Sequence, residues 1–199
     1  AMVSDLHIGS VGGEARLPLV IDKINESKPD VVCIAGDIFD NDFDAIKNPD
    51  EVINQLKRID APYGIYACLG NHDAGSTIDK MLGLLEKANV KALNDEYEVV
   101  DGRFIVCGRL DGFPIGGNGG MARRGIEKVL ENADLSLPVI VLDHNPQDVD
   151  SYDEKTDLVL SGHTHKGQLF PFEFVTDRMF PVDYGYYRRD ENAPHVVVS

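Results

Sequence analysis

Five short apolar runs punctuate the chain, and each gives way to a polar cluster containing glycine or aspartate. The runs are Ala1-Met2-Val3, Val31-Val32-Cys33-Ile34-Ala35, Gly64-Ile65-Tyr66-Ala67-Cys68-Leu69, Val139-Ile140-Val141-Leu142 and Leu158-Val159-Leu160-Ser161. Short runs bounded in this way predict buried strands of an α/β sheet. Between them the period changes. Leu17, Val20, Ile21 and Ile24 recur at three and four residues and predict a helix from Leu17 to Ser27. Val52, Ile53, Leu56 and Ile59 do the same over Asp50 to Ile59, and Ser76 is placed to cap a third helix running to Ala88. The rhythm then shifts. Glu96 to Val100 and Arg103 to Arg109 flank Asp101-Gly102, a hairpin signal. A glycine-rich loop precedes a predicted helix from Met121 to Asn132, and a β-rich tail is expected around Gln168 to Phe174 and Tyr184 to Arg188. A βαβαβα pattern followed by mixed elements favours two packed sheets with helices outside, in one domain over residues 1–199.

Composition narrows the function. No apolar stretch approaches the roughly 20 residues a membrane helix needs, and no signal peptide is visible, so the segment itself reads as soluble. Ala1-Met2-Val3 and His195 to Ser199 look like trimmed ends, which leaves room for an anchor outside this range. The net charge of −15 repels nucleic acid backbones, so long nucleic acids are not expected partners. Cys33, Cys68 and Cys107 fall inside predicted strands without C-x-x-C spacing and read as small buried hydrophobes.

The chemistry lies in the clusters after the five runs: Asp5-Leu6-His7, Gly36-Asp37-Ile38-Phe39-Asp40, Gly70-Asn71-His72-Asp73, Asp143-His144-Asn145 and Gly162-His163-Thr164-His165. Ligands of open α/β sheets bind beyond the carboxyl ends of the strands. One edge of one sheet would therefore collect aspartates, an asparagine and five of the six histidines, which points to a site for two ions. Asp5 with His7, and His163 with His165, are two apart at strand ends and should point the same way. Carboxylate plus imidazole suits manganese first, with iron, zinc, nickel or cobalt also accepted. Asp37, directly at its strand end, can bridge two ions about 3.5–4 Å apart, while Asn71 offers an amide oxygen. His72, adjacent to a ligand, should face away from the metal and lie over a substrate, with Asp73 holding its tautomer. Asp40 is balanced between orienting a ligand and capping a helix, and Asp143 reads as a turn or supporting residue. Arg109, Arg123 and Arg124 read as solvated rather than phosphate-binding, and His195 as having no catalytic role. The loop Phe113 to Gly120 lacks P-loop spacing and is either a recognition loop or a plain turn.

These residues resemble the calcineurin-like metallophosphoesterase superfamily, whose D-x-H, G-D-x-x-D, G-N-H-D/E, lone H and G-H-x-H motifs are all present, in order, from Asp5 to His165. The resemblance implies a four-layer α/β/β/α sandwich. It implies that Asp5, His7 and His165 hold one divalent ion, that Asn71, His144 and His163 hold a second, and that Asp37 bridges them, with His72 as catalytic acid or transition-state stabiliser. The expected activity is hydrolysis of a phosphate monoester or diester by in-line attack of a hydroxide held between two ions. A non-catalytic scaffold and a nuclease of the same superfamily are the rival readings. The stretches Pro62 to Asp73, Ser161 to Pro171 and Asp183 to Tyr187 look like a bacterial branch of predicted phosphoesterases, often with transmembrane helices ahead of the catalytic domain. That implies a small phosphate ester or an envelope or lipid phosphate as partner. The location it implies is a soluble domain, anchored in a longer protein or cytoplasmic.

Overall fold

Side chains that alternate between the two faces of each strand divide the core into three apolar layers, and two sheets and their helices follow from that division. The structure, a computed structural model, describes residues 1–165 and 180–199. The first sheet is all parallel, in the order β1 (Met2–Val3), β2 (Val32–Ala35), β3 (Ile65–Cys68), β4 (Val90–Ala92). The second contains β5 (Glu96–Val100), β6 (Phe104–Gly108), β7 (Val139–Leu142), β8 (Leu158–Ser161), β9 (Gly185–Tyr187) and β10 (His195–Val198), in the order β5-β6-β7-β8-β10-β9. Its four central strands are parallel, and β5 and β9 run antiparallel at its edges.

Successive strand residues face opposite ways. In β3, Ile65 and Ala67 therefore pack under helices, while Tyr66 and Cys68 face the second sheet. In β7, Ile140 and Leu142 meet that middle layer, while Val139 and Val141 pack outward. The outer layer on the first sheet comes from α1 (Gly13–Glu26), α2 (Pro49–Leu56) and α3 (Ile78–Lys87), which contribute Leu17, Ile21, Val52, Leu56, Met81 and Leu85. The short α4 (Ile126–Val129) and the 3-10 turn Pro146–Ser151 cover the second sheet with Val129 and Val149. The result is the expected α/β/β/α sandwich. The three cysteines are buried and free, as expected of small apolar residues. Among the described residues no helix is long and apolar enough to cross a membrane.

Several boundaries moved for identifiable reasons. The first helix starts four residues before Leu17 and carries Pro18 within its second turn. The second helix starts at Pro49 and ends at Leu56 rather than Ile59, with Asn48 as its cap accepting from the Glu51 amide. Ser76 makes no cap; it lies in a 3-10 turn, Gly75–Thr77, that leads into α3. The helix expected from Met121 to Asn132 shrinks to Ile126–Val129, because Arg123 and Arg124 are held by Asp143 and Asp95 outside any helix. The strand expected at Gln168 to Phe174 lies outside the described residues.

Candidate metal centre

The polar clusters follow the carboxyl ends of β1, β2 and β3 in the first sheet and of β7 and β8 in the second. The expectation of a single sheet edge is thus corrected: two facing sheets each supply part of the site. Backbone bonds hold these loops together. The amides of Asp5 and His7 donate to the Gly36 and Asp37 carbonyls at 3.0 Å, and Gly162 donates to the His144 carbonyl at 2.9 Å. The strand-pleat argument for the D-x-H and H-x-H pairs is also corrected. Asp5 (φ 55°), His7 (φ 45°), Asp37 (φ 50°), His163 (φ 74°) and His165 (φ 49°) all lie in the left-handed region rather than in strands. Each such residue costs about 1–2 kcal/mol, a strain the surrounding bonds must hold.

These turns bring seven predicted residues together. Asp5, His7, Asp37 and His165 place donor atoms within 4.8 Å of one another, as do Asp37, His144 and His163. Asp37 belongs to both groups. The Asp5 carboxylate is 3.2 Å from His165 Nε2, and Asp37 Oδ2 is 3.2 Å from His144 Nε2 and 3.7 Å from His7 Nε2. The Asn71 side-chain oxygen lies 2.8 Å from His163 Nδ1. The donor chemistry fits divalent cations. His144 is fully buried; its Nδ1 is 2.8 Å from the Ala35 carbonyl, which leaves Nε2 without a hydrogen-bond partner beside Asp37. Burial would lower the His144 pKa, but the Asp37 carboxylate overrides it and raises it to about 9. Burial likewise opposes ionisation of Asp37, yet His144 holds its carboxyl below the usual range. Burial, followed by the His144 charge, lowers His163 to about 4, and burial also lowers His7. Both are therefore neutral imidazoles at neutral pH, the form that ligates metal.

Two glycines permit this closeness. A methyl group at Gly36 would sit 2.5 Å from His144 Nδ1, and one at Gly70 would overlap the Asp37 carboxylate.

His72 belongs to neither of these groups; with His7 and Asp40 it forms a third whose donor atoms lie within 4.8 Å of one another. Its amide donates to Asp37 Oδ1 at 2.9 Å, while its ring meets His7 edge-on at 5.0 Å between centroids. The expected Asp73 partnership is corrected. Asp73, 1% exposed, instead accepts from the amides of Ile38 (3.1 Å), Phe39 (2.6 Å) and Gly70 (2.9 Å), tying the β2 and β3 loops together. Burial and the Asp37 charge push its carboxyl up to about 7, against the pull of those amides. The carboxylate beside His72 is Asp40, 3.3 Å from Nδ1.

A buried ion network behind His144 was not legible in the sequence. Arg123 grips Asp143 with two bonds of 2.9 and 2.6 Å and also donates to the Leu110 carbonyl at 2.6 Å. The Tyr152 hydroxyl donates to Asp143 at 2.7 Å and lies 3.1 Å from Arg109 Nη1. Arg109, only 4% exposed, pairs with Asp95 at 2.8 Å, and Asp95 also accepts from the Arg124 amide at 2.6 Å. Arg109 and Arg123 are therefore structural rather than solvated, whereas Arg124 is exposed, as expected of a solvated arginine. His195 lies on β10, its Nδ1 2.9 Å from the Tyr186 hydroxyl.

Residues 1–167 match the family model for calcineurin-like phosphoesterases. An uncharacterized metallophosphoesterase of Helicobacter pylori is 30% identical over 206 residues, an alignment covering 100% of this chain and 52% of the relative. A zebrafish (Danio rerio) transmembrane protein with metallophosphoesterase domain is 30% identical, with 96% of this chain and 46% of the relative aligned. The chain thus spans about half the length of these curated relatives. The crystal structure of a 5'-nucleotidase precursor from Thermus thermophilus superposes with a TM-score of 0.62 at 16% identity, covering 100% of this chain and 47% of that one, a likeness of fold.

Proposed function

The chain belongs to the calcineurin-like phosphoesterase family, and from that premise we propose that it hydrolyses phosphate esters at a centre for two divalent cations. Asp5, His7 and His165 would hold one cation, Asn71, His144 and His163 the other, and Asp37 would bridge them. The observation that carries this reading is the shared Asp37 carboxylate, common to two donor groups, beside a buried His144 nitrogen that has no other partner. Two bound cations supply an acidified water as nucleophile and positive charge for the phosphoryl oxygens.

The chain's own residues do the rest. Asp73 fixes the loop that carries Asp37, so the bridging carboxylate is set before any ligand arrives. The Asn71 amide oxygen adds no charge, which leaves the carboxylates to set the balance of the site. Asp40 lies 3.3 Å from the His72 Nδ1 without a hydrogen bond to it, where its charge favours the protonated ring, and Nε2 is the nitrogen that hands a proton to the departing oxygen, a contribution of about 10²–10⁴-fold. Manganese is the first cation to test, because mixed oxygen and imidazole donors accept it. The reading takes a small-molecule, envelope or lipid phosphate ester as substrate.

The test is hydrolysis of an aryl phosphate monoester and the matching diester by metal-stripped protein with manganese restored, beside Asp37→Ala. Metal-dependent turnover that the substitution abolishes supports the reading, and the preferred ester names the class. Bound metal without turnover of either ester would return the chain to a binding role.

A further inference from the structure

The glycine-rich stretch between Asp111 and Arg123 is fastened at both ends and in the middle. Arg123 donates to the Leu110 carbonyl at 2.6 Å while gripping Asp143, which closes the base of the loop. At its centre the Ile115 amide donates to the Asn71 carbonyl at 2.9 Å, and the Gly75 amide donates to the Gly117 carbonyl at 2.7 Å. The loop is therefore docked on the segment that carries Asn71 and His72.

Its chemistry differs from the rest of the surface. From Gly112 to Ala122 no residue is charged, in a chain with 34 acidic and 19 basic residues. Phe113, Ile115 and Met121 are 64%, 45% and 41% exposed, three of the nine large apolar side chains most exposed among the described residues. Exposed apolar side chains grouped on one secured loop mark a binding surface more than scattered ones do. Phe113, Ile115 and Met121 offer no strong side-chain hydrogen-bond partner, so what they can select is apolar or aromatic surface.

We propose that Phe113, Ile115 and Met121 form a subsite beside His72 for an apolar leaving group, so that the preferred substrate is an alkyl or aryl phosphate ester. The subsite rests on the phosphohydrolase reading above, because it needs the phosphoryl group held at the metal centre. It leaves the loop's fastening to Arg123 and its selectivity to the three exposed side chains.

The test is calorimetric binding of n-alkylphosphonates, methyl to octyl, to manganese-loaded protein and to a Phe113→Ser/Ile115→Ser variant. Both positions are exposed, so the variant folds. In the original protein each added methylene that is buried should tighten binding by up to about fourfold. In the variant most of that gain should vanish, with octylphosphonate at least about tenfold weaker. A flat series in the original protein, or a gain that survives in the variant, overturns the subsite while methylphosphonate binding upholds the metal-centre reading. Failure of every phosphonate to bind while manganese does overturns both.

Discussion

Replacing Arg123 with alanine should unfold the protein more readily by about 3 kcal/mol, and the figure comes from what the substitution strands. Asp143 is 1% exposed, and its carboxylate takes two bonds from Arg123 and one from Tyr152. Without the guanidinium a buried carboxylate keeps only the tyrosine hydroxyl, and breaking a buried pair this way costs about 3–5 kcal/mol. The Arg123 side chain is 24% exposed, which lets water reach the gap and puts the cost at the low end. In a domain of this size that corresponds to a Tm lower by roughly 6–12 °C. Urea unfolding of metal-free protein measures it. The double variant Arg123→Met/Asp143→Leu should recover most of the loss, because it removes the stranded charge as well as the pair. A single variant that loses less than about 1 kcal/mol, the usual value of a surface pair, would refute the claim that this network braces the strand end carrying His144.

Other consequences are equally direct. Gly70→Ala presses on both the carboxylate and the backbone nitrogen of Asp37, so manganese affinity should fall by about 10- to 100-fold and the metal-free protein should also melt earlier, both read by calorimetry. His72→Ala should leave the number of bound ions unchanged and lower kcat by about 10²–10⁴-fold on an alkyl ester, less on an aryl ester whose leaving group needs no proton. Stability of the metal-free protein should fall as pH rises from 6.5 to 9. His144, raised from 6.5 to about 9 in the folded state, binds more protons folded than unfolded over that window. Thermal melts across that range check it, and a melting temperature that climbs with pH would contradict the His144–Asp37 pairing.

The candidate donor residues were legible because their chemistry is local: each cluster sits within a few residues of an apolar run, so order along the chain was enough to group them. The conformations that aim their side chains were not. Asp5, His7 and Asp37 owe their directions to left-handed turns fixed by bonds between loops, not to the strand pleat from which their pairing was argued. Arg123 illustrates the larger gap. Its partner Asp143 is 20 residues away, and the pair overrides a helical pattern that reads well from Met121 onward. Asp73 was misread because adjacency to His72 suggested a partnership, whereas burial leaves its carboxylate facing backbone amides.

The central claim is a pair of cations bridged by Asp37, and electron paramagnetic resonance of manganese-loaded protein tests it most directly. The account predicts two ions per chain with the spectrum of an exchange-coupled pair, and loss of that coupling together with ester hydrolysis in Asp37→Ala. A single bound ion, two uncoupled ions, or hydrolysis that persists in Asp37→Ala would contradict it.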